Sequence, residues 1–291
     1  MISFRAIHKN TIENLKDLYP VYECETISYL LLENITGLNK TKIILNYDEP
    51  FPEKILEKYL HFIERLKNGE PLQYITNQAY FYGREFFVNP SVLIPRQETE
   101  ILVKETIDIC KNKSLKNPKI LDIGTGSGCI AISLKKEIPE ADIYALDVST
   151  EALNIAKKNS TTHDTNITFA IFDVLLDKNF PFADIKFDII VSNPPYVTIS
   201  EKKLMHKNVT LFEPALALYV EDNAPLIFYN SISELAKNIL NTPGHLVYEI
   251  NENFSKEVSK LNISKGFTKN MVISDLNNKN RVIVSINSLN L

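Results

Sequence analysis

The chain has 291 residues, 44% hydrophobic and 23% charged, so it is long enough for two domains, or one large domain with an appendage, and can bury a substantial core. Its 32 Lys+Arg against 36 Asp+Glu give a formal charge of -4, which argues against nucleic-acid binding by bulk charge, since duplex affinity rests on many Lys and Arg contacts to phosphates. Cys24, Cys110 and Cys129 are far apart, odd in number and without CxxC or a matching His spacing, which speaks against a disulfide framework and a zinc site and fits a reducing cytoplasm.

The opening residues MISFRAIHKN turn polar too soon to form the apolar core of a signal peptide. No later run approaches the ~18 apolar residues of a membrane span, so a soluble, cytoplasmic protein without membrane contact is expected. A weakly patterned helix is expected over IENLKDLY. Two stronger ones follow. In ECETISYLLLENI the apolar positions Cys24, Ile27, Leu31, Leu32 and Ile35 fall on one helical face, as do Ile55, Leu56, Tyr59, Leu60, Ile63 and Leu66 in PEKILEKYLHFIERLKNG, which Gly69 would stop. These segments make a small helical domain over residues 1–72.

From Gln73 the composition becomes aromatic and β-branched, with Gly83 between two short runs, the pattern of a hairpin; residues 73–95 are expected to form a β-hairpin connector, paired over about 73–93. QETEILVKETIDICK then reads as a helix near the start of a third region, residues 96–291. Its strands PKILDIG, ADIYALDV, NITFAIFDV, FDIIVSN and GHLVYEI are separated by helical stretches such as CIAISLKKEI, TEALNIAKKN and IFYNSISELAKNIL. This alternation predicts an α/β fold, a doubly wound and mostly parallel sheet with helices on both faces. FTKNMVISDLNNKNRVIVSIN adds two strands around a polar turn at Asn277 to Asn280 with no helix between them, so the sheet of seven strands should end in an antiparallel pair. The histidines, at positions 8, 61, 163, 206 and 245, form no HxxxH or similar pair and read as surface or structural residues, and no metal site is expected.

ILDIGTGSGCIAISL sets Gly124, Gly126 and Gly128 between a strand and a helix, where glycines permit a sharp turn and the close approach of a ligand. Alone, this is the pattern of any tight βα turn. Asp147, about twenty residues further on at the end of the next strand, can accept from both hydroxyls of a ribose. The spacing is GxGxG rather than GxGxxG and no Walker lysine follows, so a nucleoside ligand without a phosphate chain suits the loop better than a dinucleotide or ATP. Asp173, with Val174 beside it, can accept from an exocyclic adenine amine or serve equally well as an ordinary turn acid.

FDIIVSNPPYVTIS ends a strand on two consecutive prolines. Proline cannot extend a sheet ladder, and it biases the preceding Asn193 towards extended backbone, so the turn is stiff. At a C-terminal strand edge, Asn193 Oδ1 and the Pro194 carbonyl would be two fixed acceptors for an –NH2 group, with Tyr196 packing against a planar amide or ring.

DIGTGSG, Asp147 and NPPY together resemble the class I S-adenosylmethionine-dependent methyltransferases that modify amino groups on planar systems. GEPLQYI at 69–75, FYGREFFVNPSVLIPRQETE at 81–100 and FEPALAL at 212–218 extend the resemblance over nearly the whole chain to the release factor glutamine methyltransferase family. That resemblance implies a Rossmann-like methyltransferase sheet with a helical substrate-recognition domain. It implies methyl transfer from S-adenosylmethionine to the N5 amide nitrogen of the glutamine in the GGQ motif of class I peptide-chain release factors; a cytoplasmic monomer without direct nucleic-acid binding is expected. Gly124, Thr125, Gly126, Ser127, Gly128, Asp147, Asp173, Val174 and Asn193 are assigned by it to the cofactor. Asn193, Pro194, Pro195 and Tyr196 are assigned to the glutamine, with Asn193, Pro194 and Tyr196 catalytic. Arg96 and Glu100 would border the substrate entrance, although an interdomain salt-bridge role accounts for them as well. Glu249, ending a strand in YEIN, would face the same cleft. The family's usual IPRPDTE reads IPRQETE here, with Gln97 and Glu98 at the changed positions, and Val174 stands where an aromatic residue is frequent.

Two other enzymes share NPPY. A ribosomal-protein glutamine methyltransferase is disfavoured by the Thr-Glu that follows IPR. An adenine-N6 DNA methyltransferase also acts on a planar –NH2, but the net charge, the helical N-terminal domain and the lack of a basic target-recognition insert oppose it. A non-catalytic binding module would have no reason to keep the paired prolines.

Overall fold

A computed structural model describes residues 2–288 of the chain. Two compact units emerge, one of residues up to Gln78 with His206–Phe212, the other of Ala79–Met205 and the residues from Glu213.

In the first unit α1 (Phe4–Leu15) begins at Ser3, whose hydroxyl accepts from the Ala6 N–H at 3.3 Å and so caps one of the four unpaired donors of the first turn. α2 (Val21–Thr36) ends at Gly37, at φ +70°. α3 (Lys40–Leu45) is capped by Asn39, and α4 (Glu53–Lys67) carries an acid in its first turn and Arg65 and Lys67 in its last, complementing the helix dipole. Ile7, Leu15, Leu31, Leu32, Ile43, Tyr59 and Leu66 close the core. α5 (Leu72–Thr76) follows Pro71 and stops at Asn77, where φ is +56°.

Three expectations are corrected here. The first helix starts eight residues before IENLKDLY, because Ser3 caps it and Phe4 and Ile7 belong to its buried face. α3 was not foreseen, since six residues are too few to display a period. The stretch from Gln73 does not begin a strand: α5 intervenes, and the hairpin is shorter, β1 (Gln78–Phe81) and β2 (Arg84–Phe87). Tyr82 and Gly83 between them both have positive φ, 50° and 71°, as a two-residue turn matched to the strand twist requires.

In the second unit α6 (Glu100–Asn112) leads into β3 (Lys119–Ile123), α7 (Cys129–Glu137), β4 (Asp142–Asp147), α8 (Thr150–Thr162), β5 (Ile167–Ile171) and β6 (Phe187–Ser192). After a two-residue strand β7 (Val197–Thr198) comes α9 (Lys207–Phe212), which clusters with the first unit. The chain then runs through β8 (Tyr219–Val220), which pairs with β7, α10 (Ile227–Ile239), β9 (Leu240–Glu249), α11 (Ser255–Ser264), β10 (Lys269–Ser274) and β11 (Asn280–Asn287).

The main sheet has seven strands in the order β10-β11-β9-β6-β3-β4-β5. β5, β4, β3, β6 and β9 run parallel, and β11 is antiparallel to both β9 and β10, as the sequence predicts. The strands are apolar on both faces because both are covered: Ile189 and Val191 of β6 join Leu102, Val103 and Ile107 of α6, while Ile190 between them joins Tyr229, Ile232 and Ala236 of α10. Each such fully buried aliphatic side chain contributes about 1.5–3 kcal/mol relative to exposure. The chain lays β4 and β5 on one side of β3 and then crosses to lay β6 and β9 on the other. The order therefore reverses at β3, the place where open α/β sheets leave a crevice beyond their C-terminal strand ends.

Candidate functional site

The crevice is a cavity of about 340 Å³, within the range of small-molecule sites. Its floor comes from the ends of four adjacent strands: Ile123 and the glycine loop after β3, Asp147 at the end of β4, Phe172, Asp173 and Val174 after β5, and Ser192 to Pro195 after β6. Phe172 and Phe228 supply aromatic wall where Val174 supplies none.

The glycine loop is held open by the sheet beneath it. The N–H groups of Gly124 and Thr125 both donate to the Leu146 carbonyl at 2.9 Å, and that of Gly126 to Asp147 Oδ2 at 2.8 Å. Gly124 and Gly126 have φ of +76° and +54°, and a Cβ built on either meets nothing within 4 Å. Their bare backbone therefore faces free space, which a planar ligand can approach closely. Thr125 and Ser127 also line the cavity. Gly128 does not. A Cβ there would lie 3.1 Å from Ala156 Cβ and 3.1 Å from Ile132 Cδ1, so this glycine lets α7 pack against α8, a packing requirement separate from the cofactor role the resemblance implies.

Asp147 and Asp173 both reach the cavity with part of their hydrogen-bonding capacity in use. Asp147 accepts from Gly126 through Oδ2 and from the Ser149 N–H through Oδ1 at 2.9 Å, which leaves part of its acceptor capacity for a ligand. Burial raises its carboxyl above the usual range, and the backbone N–H donors of Ser149 and Gly126 oppose that rise. Asp173 Oδ1 accepts from the Leu175 N–H at 2.8 Å, the turn-forming bond of an Asx residue. Behind the loop, Asp122 is fully buried. One of its oxygens accepts from Thr125 Oγ1 at 2.8 Å, the other has no partner, and burial pushes its carboxyl up to about 7.

NPPY carries Asn193, Pro194 and Pro195 onto the cavity wall. Asn193 Nδ2 donates to Thr99 Oγ1 at 3.2 Å, Thr99 Oγ1 donates to Glu249 Oε2 at 2.5 Å, and Tyr196 Oη donates to Glu249 Oε1 at 2.8 Å. Thr99 also lines the cavity and was not foreseen as a site residue. Two expectations change. The Tyr196 phenol is tied to Glu249 and does not line the cavity wall, and Glu249, only 2% exposed, lies behind the site rather than in the cleft. Burial raises the Glu249 carboxyl, against the pull of the Thr99 and Tyr196 hydroxyls; burial and the neighbouring Glu249 raise the Tyr196 phenol, which keeps its proton.

Arg96 lines the cavity and ion-pairs through Nη2 with Glu213 Oε1, while Glu213 Oε2 accepts from the Ile94 N–H at 3.1 Å. Glu213, buried in the FEPALAL stretch, thus fastens the loop that carries Arg96. Glu100 is not at this cavity: its carboxylate accepts from the Tyr82 N–H at 2.7 Å and borders a separate recess at the hairpin turn, because the first turn of α6 points it there. Asn159 of α8, also unforeseen, braces the glycine loop. Its Oδ1 accepts from the Phe87 N–H at 2.8 Å, and its Nδ2 donates to the carbonyls of Phe87 and Ser127, each at 2.9 Å.

Among the described residues no group of His, Cys, Asp and Glu could hold a metal ion, and no helix is long and apolar enough to cross a membrane.

The family model for the methyltransferase small domain matches residues 98–218, and that for the PrmC N-terminal domain matches residues 9–76. The chain is 42% identical over 273 residues to a release factor glutamine methyltransferase of Flavobacterium psychrophilum, covering 94% of this chain and 95% of that one. A protein of the same name from Bacteroides thetaiotaomicron is 39% identical, with coverage of 94% and 96%. Among solved structures, a T. thermophilus 16S rRNA methyltransferase in complex with AdoMet and guanosine superposes with a TM-score of 0.51 at 17% identity, over 72% of this chain and 49% of that one, a likeness of fold. With the sheet, the glycine loop and NPPY in this arrangement and identity of this extent over 94% of its length, the chain belongs to the release factor glutamine methyltransferase family.

Proposed function

We propose that the chain transfers a methyl group from S-adenosylmethionine to the N5 amide nitrogen of the glutamine in the GGQ motif of class I peptide-chain release factors. The observation that carries this reading is the amide of Asn193, which lines the cavity beside Pro194 with its nitrogen committed to Thr99, so that Oδ1 is the edge offered to a ligand.

The residues present fit the cofactor. Gly124 and Gly126 offer unobstructed backbone, Asp147 has acceptor capacity for ribose hydroxyls, and Asp173, Val174 and Phe228 bound a slot for a flat ring. When bound, the cofactor supplies an electrophilic methyl group on a positively charged sulfur. The chain's own residues must then make an amide nitrogen react, although its lone pair is delocalised into the carbonyl. Asn193 Oδ1 and the Pro194 carbonyl accept the two hydrogens of the glutamine –NH2, pulling electron density back onto nitrogen and orienting its lone pair. Fixed by the prolines, these acceptors hold the nitrogen in line, a form of positioning worth up to about 7–11 kcal/mol. The apolar wall of Phe172, Phe228 and Ile232 excludes water, which favours the dispersed charge of the transition state. No side-chain base is assigned, since the methylated nitrogen loses its proton readily. Recognition of the release factor is assigned to the helical domain, residues 1–72, and Arg96 to the rim of the glutamine entrance.

Incubation of the protein with methyl-labelled S-adenosylmethionine and purified release factor, followed by mass spectrometry of the GGQ peptide, tests the reading. One methyl on the glutamine is expected in the wild type, and Asn193→Ala should abolish it while cofactor binding by calorimetry persists. Label in duplex DNA but not in release factor would overturn the assignment.

A further inference from the structure

We propose that Thr99 and Glu249 are positioning residues that set the hydrogen-bonding polarity of Asn193, so that its amide presents oxygen, and not its –NH2 edge, to the methyl acceptor. This rests on the acceptor role given to Asn193 above and adds the reason why that amide is held one way round.

An asparagine side chain is nearly symmetric in shape and opposite in polarity across its plane: one edge accepts and the other donates. Shape alone therefore does not decide which edge faces a ligand. A turned amide would offer hydrogens to a substrate nitrogen that itself carries two, and the donors would face each other. The decision comes from the group behind it. A threonine hydroxyl has one hydrogen, and that of Thr99 goes to Glu249 Oε2 at 2.5 Å. The other oxygen of Glu249, Oε1, meets the Tyr196 hydroxyl at 2.8 Å. When Glu249 is ionised, both of its oxygens are acceptors and both are met by hydroxyls. Thr99 Oγ1 is thus left with lone pairs only, and Asn193 meets it with its donor edge, Nδ2 at 3.2 Å.

The chain of bonds is shielded from exchange with water, since Thr99 is 3% and Glu249 2% exposed. It is also anchored on three separate elements: Glu249 ends β9, Thr99 directly precedes α6, and Asn193 directly follows β6, which pairs with β9 through Val191↔Val247 and Ser192↔Tyr248. Without the carboxylate, the Thr99 hydrogen is free to turn to Asn193 Oδ1, and both amide orientations become accessible. The carboxylate therefore acts at a distance, through one hydroxyl, on which edge the substrate meets. It never touches the reacting atoms, so it does not belong with the catalytic residues.

Three substitutions read this out: Thr99→Val, which keeps the shape and removes the hydroxyl; Thr99→Ser, which restores it; and Glu249→Met, which removes the acceptor at similar length. With release factor as substrate, Thr99→Val and Glu249→Met should each lower kcat by roughly tenfold or more, as loss of one hydrogen bond to a charged group or its dependent partner predicts. KM for the release factor and Kd for S-adenosylmethionine should change by less than about threefold, since bulk binding is untouched. Thr99→Ser should recover most of the turnover lost in Thr99→Val. The double variant Thr99→Val/Glu249→Met should lose less than the product of the two single losses, because one of the two bonds Glu249 accepts runs through the same hydroxyl, the other coming from Tyr196. Urea unfolding of each variant separates a folding loss from a positioning loss, and if Glu249→Met does not fold, the Val and Ser pair decides alone. Wild-type kcat in Thr99→Val, or losses that multiply in the double variant, would overturn the inference. Asn193→Ala run alongside tells the two readings apart: if it also retains turnover, the acceptor role of Asn193 falls; if it is inactive while Thr99→Val is unimpaired, only the relay falls.

Discussion

Gly128→Ala tests the division of labour within the glycine loop. Gly128 sits at φ +82°, where a residue with a Cβ costs about 1–2 kcal/mol. The added methyl would also press on Ala156 Cβ and Ile132 Cδ1, each at 3.1 Å, and on Ala156 Cα at 3.3 Å. Backbone cannot swing aside as a flexible side chain can, and overpacking of this kind costs about 1–3 kcal/mol, so a total loss of roughly 2–5 kcal/mol is expected. Gly124→Ala is the control. Its φ of +76° imposes the same backbone cost, but nothing lies within 4 Å of the new methyl, so its loss should stop at about 1–2 kcal/mol. The methyl at 124 instead enters the space a ligand would use. Urea unfolding, with unchanged slopes, should therefore rank Gly128→Ala as the less stable variant, whereas calorimetric titration should show Gly124→Ala binding S-adenosylmethionine more weakly than wild type. Equal stability of the two variants would refute the packing role of Gly128, and undiminished cofactor affinity in Gly124→Ala would refute the open approach to the loop.

Asp147→Asn should raise the Kd for S-adenosylmethionine by roughly 10- to 100-fold, the effect of weakening hydrogen bonds to a charged acceptor, and unchanged calorimetric affinity would remove it from the ribose site. Burial raises the Asp122 carboxyl to about 7, above the ~4 of an unfolded chain, so across that window the native state holds a proton that the unfolded chain releases, and stability falls as pH rises. Asp122→Asn removes this dependence: its unfolding free energy relative to wild type should climb between about pH 4 and pH 8, by an amount on the order of a few kcal/mol, and a flat difference would contradict the burial argument. Arg96→Ala leaves the Glu213 carboxylate, 1% exposed, with only the Ile94 N–H as partner. Because Arg96 itself is 35% exposed, the full cost of breaking a buried pair is discounted to about 1–3 kcal/mol, measurable as a lower unfolding midpoint that Arg96→Ala/Glu213→Leu should partly restore.

The sequence made legible whatever depends on neighbours along the chain. The strands of the central sheet are readable because burial on both faces demands continuous apolar runs, and the mostly parallel sheet because strands alternate with helices, whereas the order of strands is not. The stiffness of the Asn193 turn is readable because two prolines act on the residue before them. Short helices escaped for the complementary reason: α3 and α5 span six and five residues, less than two turns, so neither can show a period. The packing role of Gly128 was not legible because a ligand-facing glycine and a packing glycine have the same local requirement, a positive φ, and only the distance to Ala156 of another helix shows the packing.

The same distinction explains why the supports of the site were hidden although its motif was plain. NPPY fixes where the Asn193 amide is, but the direction in which that amide faces is settled by a hydroxyl 94 residues away, whose own proton is claimed by a carboxylate 150 residues from it. Tyr196, three residues from Asn193, reaches the same carboxylate across 53 residues of chain. Backbone shape is a local property and leaves a local trace in the sequence. Hydrogen-bond polarity is a property of a closed network, in which each donor is assigned only once every acceptor is known. A substitution far along the chain at Glu249 can therefore act on the chemistry at Asn193 without changing the motif, and kinetic measurements on conservative variants such as Thr99→Ser are sensitive to this kind of defect.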